Sequence, residues 1–202
     1  MFPKLSDWLL RTGLTRAIYF SGTLVIGKGL FKKKLRVQAY RRGENDVPFV
    51  RLTFVVTGFL SYESMPIEIR LSDARELVRL LGEVGEYFDA MERPMAGGRP
   101  ASAGPPFQNF ADWFRRTTLS GTIVHSPGAL VVKPSLIELR LSVQACRSHG
   151  QGAAYTLLDL TATSPLSYEG KSAELSLAET RELARMVQEA IQSVGADRRS
   201  DS

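Results

Sequence analysis

Residues 35–42 alternate: Leu35, Val37 and Ala39 fall on one side, and Arg36, Gln38, Tyr40 and Arg42 on the other. A period of two is the mark of a half-buried strand. The same period returns in 49–57, with Val50, Leu52, Phe54 and Val56 on one face, and in 66–71, with Ile67, Ile69 and Leu71. Residues 17–26 are rich in β-branched and aromatic types and predict a further strand. Gly43-Glu44-Asn45-Asp46 predicts a turn between strands. After Leu71 the period changes to that of a helix: Leu77, Leu80, Leu81 and Val84 form a stripe. Ser72 is its expected N-cap, with Asp73 and Glu76 near the positive end of the helix dipole.

The whole pattern then occurs again. Val37-Gln38-Ala39-Tyr40-Arg41 matches Val143-Gln144-Ala145-Cys146-Arg147, an offset of 106 residues, the difference between 143 and 37. The same offset carries Leu60-Ser61-Tyr62-Glu63 onto Leu166-Ser167-Tyr168-Glu169, and Arg75-Glu76-Leu77 onto Arg181-Glu182-Leu183. Roughly a third of positions 37–81 are identical to 143–187 without a gap, against about one in fifteen for unrelated chains of ordinary composition. Upstream, Asp7-Trp8 matches Asp112-Trp113, in short segments, Leu5–Arg11 and Phe110–Arg116, that each precede a repeat. Second-copy strands are expected near 121–126, 139–146, 154–162 and 172–177, and a helix near 178–193 carrying Leu183, Met186, Val187 and Ile191.

Two tandem ββββα repeats give an α+β fold, expected to pack as a pseudo-two-fold pair of antiparallel sheets with helices. The first repeat spans 1–92 and the second 108–194. Between them, 93–107 is dense in Pro, Gly, Ala and Ser and predicts a linker, and 195–202 reads as a polar tail.

Charge changes the picture next. The chain has 202 residues and a net charge of +5. By sequence the excess sits mainly in the first repeat. There the outward strand positions carry Arg36, Gln38, Tyr40, Arg42 and Arg51, with Tyr19 on the first strand and Lys28, Lys32, Lys33 and Lys34 in the approach to the second. The second copy replaces Arg36, Tyr40, Arg42 and Arg51 with Ser142, Cys146, Ser148 and Leu157, while keeping Lys133 and Arg140. One face of each sheet is expected to pack under a helix and the other to stay free. Cations interleaved with rings on a free face are what an unpaired strand requires, since cations hold phosphates and rings stack on bases. The bland alternative is a solvated loop and a charged face that discourages aggregation.

Other chemistries find little support. One cysteine, Cys146, excludes an intrachain disulfide and fits a reducing compartment. With His125 and His149 as the only histidines, no zinc-ligand spacing arises. Gly27-Lys28-Gly29 lacks the Gly-Lys-Ser/Thr ending of a phosphate loop, and no nucleophile elbow is present. The duplicated carboxylates Glu63/Glu169 and Glu68/Glu174 read as charges at strand ends, Tyr62 and Tyr168 as packing residues, and Cys146 as an inert thiol. No cofactor, metal or enzymatic activity is expected. With no apolar run long enough to span a bilayer and no signal-like apolar core in Met1–Arg11, a cytoplasmic chain is expected.

The order of elements resembles the single-strand-binding fold shared by Whirly proteins, positive-cofactor transcriptional coactivators and Pur proteins. The likeness lies in Ile18–Ile26 and Val124–Pro134, which stand where Whirly proteins carry a Lys-Gly-Lys-Ala-Ala-Leu hairpin run, and in Ile67–Ser72 and Ala173–Leu177, where a last strand enters a helix. The paired lysines of that motif are absent from both stretches. The resemblance implies binding of single-stranded DNA or RNA across paired sheets, as a homodimer or higher assembly. The alternative is a protein-interaction module that uses a free sheet face or strand edges.

Overall fold

The computed structural model describes residues 15–26, 32–42, 47–57, 62–92, 121–132, 138–148 and 153–200. The segments at Leu5–Arg11 and Phe110–Arg116, the Gly43–Asp46 turn and the 93–107 linker lie outside the described residues. Strands β1 (Thr15–Ile26), β2 (Lys32–Arg42), β3 (Val47–Thr57) and β4 (Tyr62–Arg70) lead into helix α1 (Leu71–Glu92). Strands β5 (Gly121–Val132), β6 (Glu138–Ser148), β7 (Ala154–Ser164) and β8 (Ser167–Leu175) lead into α2 (Leu177–Ser200). Each set of strands is an antiparallel meander, in the order β1-β2-β3-β4 and β5-β6-β7-β8.

The duplication holds to the level of register. Lys32 pairs with Thr57 and Glu138 with Thr163; Tyr40 pairs with Phe49 and Cys146 with Tyr155. Both first strands are bulged at matching places, between Phe20 and Thr23 and between His125 and Gly128. Both bulges use backbone that an L side chain disfavours, and glycine supplies it in each copy: Gly22 has φ 102° and Gly128 φ 154°. This is why β5 continues through Pro127-Gly128, which read as a strand end in the sequence. The β4 strand likewise begins at Tyr62 rather than 66, because pairing of Thr57 with Tyr62 extends the ladder beyond the alternating stretch.

The helix-facing side of each sheet is the side expected. Leu35, Val37, Ala39, Val50, Leu52, Ile67 and Ile69 are fully buried, as are Leu141, Val143, Ala145, Leu158, Leu160 and Leu175. On α1 the buried stripe is Ala74, Leu77, Leu80, Leu81, Val84 and Phe88; on α2 it is Leu183, Met186, Val187, Ala190, Ile191 and Val194.

The compact units cut across the repeats. One contains residues 1–78 and 182–202, the other 79–181, so each sheet is grouped with most of the other repeat's helix. In the first unit the Tyr19 hydroxyl donates to Glu189 at 2.7 Å, and Arg41 donates to the Val194 carbonyl at 3.2 Å. In the second, Tyr87 stacks on His125 with ring centroids 4.7 Å apart. Positions 19 and 125 correspond, so in both copies the first strand meets a helix through the same residue position.

The helix starts differ. Helix α1 begins at Leu71, which places Ser72 within its first turn rather than at the cap. The cap is built in the second copy instead. There Ser176 N–H donates to Glu179 Oε2 at 2.7 Å, and Glu179 N–H donates to Ser176 Oγ at 3.3 Å, a reciprocal capping box. The expected polar tail is helical as far as Ser200, since Ala196 to Arg199 contain no helix breaker and Gly195 alone does not end a helix.

Candidate nucleic-acid interface

The second face of each sheet, expected to be free, is partly closed. Tyr40 and Val55 are buried on the first sheet, and Ser142, Cys146, Leu157 and Thr161 on the second. Alternation identifies the face that must be buried, but it cannot tell that Tyr and Arg stems on the opposite face also pack.

The residues drawn together at the centre of the first sheet form a closed cluster. Tyr40 is 3% exposed. Its ring stacks on Phe49 at 6.0 Å, and the Arg51 guanidinium carbon lies 4.6 Å from its centroid. Arg51 donates to Glu68 Oε1 at 2.6 Å, its cross-strand partner. The Tyr40 hydroxyl faces that carboxylate without a well-aligned hydrogen bond, and burial first, then Glu68, pushes the phenol above its usual pKa. A ring covered on both sides cannot stack on a base, and the Arg51 charge is neutralised by Glu68. In this arrangement Tyr40 and Arg51 are packing residues. The second copy makes the same region apolar with Cys146 and Leu157, both buried, and burial pushes the Cys146 thiol up to about 11.

The remaining sequence candidates divide. Tyr19 is engaged by Glu189, whose hydrogen bond raises the pKa of its phenol. Arg36 and Gln38 are half-exposed, and the Arg36 Nε is enclosed without a hydrogen-bond partner. Arg42 ends β2 opposite Thr15 and Val47, and Lys32 begins it opposite Thr57. Lys33 and Lys34 are half-exposed on opposite faces of β2, and Arg140 is exposed on β6. Lys28 and Lys133 lie outside the described residues. Among the described side chains, Lys33, Lys34 and Arg140 stand near the start of β2 and β6, and Arg36 lies two residues further along β2 than Lys34.

At the end of each sheet where β2 and β6 start stand two residues that sequence reasoning set aside. Tyr62 is 65% exposed and Tyr168 58%, so neither is a packing residue. The signal that could have found them is their identity in both copies at a hairpin tip. Leu166, in the β7–β8 turn, is 98% exposed. That turn is held by Ser164, whose Oγ accepts from Ser167 N–H at 3.0 Å and lies 2.7 Å from Ser167 Oγ.

Among the described residues no cluster of three or more His, Cys, Asp or Glu could hold a metal ion, and no helix is long and apolar enough to cross a membrane.

This is a Whirly-like fold. The structure of WHY1 from Arabidopsis thaliana superposes with a TM-score of 0.50 at 12% identity, covering 91% of this chain and 90% of that one. WHY3 from the same plant aligns over 86% of this chain and 88% of its own, at 12% identity and TM-score 0.48. The plant transcriptional regulator PBF-2 aligns over 90% and 86%, also at 12% identity, with TM-score 0.45. At such identity the likeness is one of fold. No protein-family model matches the sequence, and no curated protein does.

Proposed function

We propose that the chain binds single-stranded nucleic acid, DNA in preference to RNA, without catalysis, and that contact is made at the hairpin end of the first sheet. The observation that carries this reading is the start of β2. Three consecutive lysines, 32–34, pair with Thr57, Val56 and Val55, and Lys33 and Lys34 are half-exposed on opposite faces. Cations on both sides of one sheet end suit a flexible polyanion that can bend around it, more than a rigid duplex. The Whirly-like fold and the net charge of +5 support the reading. The phosphate-binding set is then Lys32, Lys33, Lys34 and Arg36 in the first copy and Arg140 in the second, with Tyr40 and Arg51 held in the interior.

The experiment is fluorescence anisotropy of a labelled oligothymidylate over a salt series, on the wild type and on a Lys33→Ser/Lys34→Ser variant. Each phosphate that the variant no longer neutralises should reduce the slope of log affinity against log salt by roughly 0.7 for single strands. A variant with unchanged affinity and slope would remove the lysines from the interface. The fully exposed Leu166 favours a second reading, a protein-interaction module, which predicts association that does not weaken with salt.

A further inference from the structure

Most exposed positions differ between the two copies. Arg70 becomes Ser176, Pro66 becomes Ser172 and Ser64 becomes Gly170. Against this background Leu-Ser-Tyr-Glu is retained at 60–63 and 166–169, and the Thr opposite the Tyr is retained as well: Thr57 pairs with Tyr62 and Thr163 with Tyr168. Burial does not account for this. Both rings are more than half exposed, and changes at such positions ordinarily alter stability by no more than about 0.5 kcal/mol. A Thr–Tyr cross-strand pair favours the ladder modestly, but other β-formers would serve as well.

Register adds a cation to each ring. Lys34 lies in one row with Val55 and Ser64, and Ser64 is two residues beyond Tyr62, so Lys34 and Tyr62 share a face. Arg140 lies in one row with Thr161 and Gly170, and Gly170 is two residues beyond Tyr168, so Arg140 and Tyr168 share the equivalent face. Two strand spacings and two residues of rise separate each pair by about 12 Å between Cα atoms. That span places a ring at one nucleotide of an extended strand and a cation at the phosphate of a near neighbour. In the second copy a Cβ at Gly170 would lie 3.8 Å from Tyr168 Cε1, so the ring lies along the strand.

We infer that Tyr62 and Tyr168 are base-stacking platforms, one at the outer corner of each sheet, partnered by Lys34 and Arg140, so that the chain carries two equivalent subsites for unpaired bases. The inference rests on the proposed function and deepens it. Charge is unequal between the copies, since Lys32 in the row of Tyr62 is replaced by Glu138 in the row of Tyr168. Stacking is equal.

The test is anisotropy with labelled oligothymidylate on the full chain carrying Tyr62→Ala, Tyr168→Ala, both together, or Tyr→Phe at each position, with folding verified by circular dichroism. Each alanine variant should lose affinity roughly five- to a hundred-fold, the double variant more, with the salt slope unchanged. Phenylalanine should restore binding, because the ring and not the hydroxyl stacks. If the wild type binds but both alanine variants stay within two-fold of it, about the scatter of neutral surface changes, the stacking inference fails while the proposed function stands. Loss at one copy only would reject equivalent subsites. A loss of self-association in sedimentation, with oligonucleotide binding intact, would assign the tyrosines to a protein contact instead. Absence of wild-type binding at low salt would overturn both readings.

Discussion

Replacing Thr180 by valine should destabilise the second copy, and then be relieved by a second change that makes the site resemble the first copy. Thr180 and Thr156 are fully buried, and their hydroxyl oxygens are hydrogen-bonded at 2.7 Å. Thr180 Oγ1 also lies 2.8 Å from the Ser176 carbonyl oxygen. A hydroxyl has one proton, so the pattern that satisfies both contacts has Thr180 donate to the carbonyl and accept from Thr156. The first copy solves the same position without polarity: Ala74 and Val50 stand there, both fully buried. Thr180→Val keeps the volume but strands the Thr156 hydroxyl, at a cost of about 1–3 kcal/mol. The Ser176 carbonyl is less affected, because it still accepts from Thr180 N–H at 2.9 Å. Thr156→Val strands nothing, since Thr180 keeps its carbonyl, and valine suits a strand; its cost should be below about 1 kcal/mol. The double variant should therefore be more stable than Thr180→Val alone. Urea unfolding followed by circular dichroism measures all four proteins. A double-variant cost equal to the sum of the singles would refute the hydrogen-bond assignment.

Three further outcomes are expected. Gly22→Ala forces a side chain into positive φ and should cost about 1–3 kcal/mol, and Gly128→Ala should cost more because its Cβ would also meet Leu80 at 3.3 Å; urea midpoints that do not move would remove strain from the bulges. Ser176→Ala should cost about 1 kcal/mol by opening the capping box, whereas Ser72→Ala, inside the first turn of α1, should cost little; equal losses would contradict the difference between the helix starts. Burial holds the Cys146 thiol up at about 11 against an ordinary value of 9.0, so the folded chain keeps a proton that the unfolded chain releases, and stability should decline as pH rises across that interval. Cys146→Ala should flatten the decline, and an unaltered alkaline slope in urea titrations would rule the thiol out.

Duplication, the α+β class and the helix-facing core could be read from residue order because each depends on local periodicity. Leu35, Val37, Ala39 and their counterparts had one place to go. The grouping of α1 and α2 with the sheets is different in kind, since it depends on non-local contacts such as Tyr19 with Glu189 and Tyr87 with His125. The cations proposed for the site could be picked out from the sequence, whereas the burial of Tyr40 and the exposure of Tyr62 could not. Tyr40 stands on the polar side of an alternating strand, yet Phe49, Arg51 and Glu68 enclose it from neighbouring strands. Tyr62 read as packing because it sits outside any alternating stretch, and only the register that carries it to the sheet corner shows that it faces water.

The central claim is tested most directly by competition. A labelled oligothymidylate is bound to the full chain at low salt, then displaced with unlabelled single strand, with duplex of the same length, or with added salt. The account predicts displacement by the single strand well ahead of the duplex, and release as salt rises. No binding at low salt, or equal displacement by duplex and single strand, would contradict it.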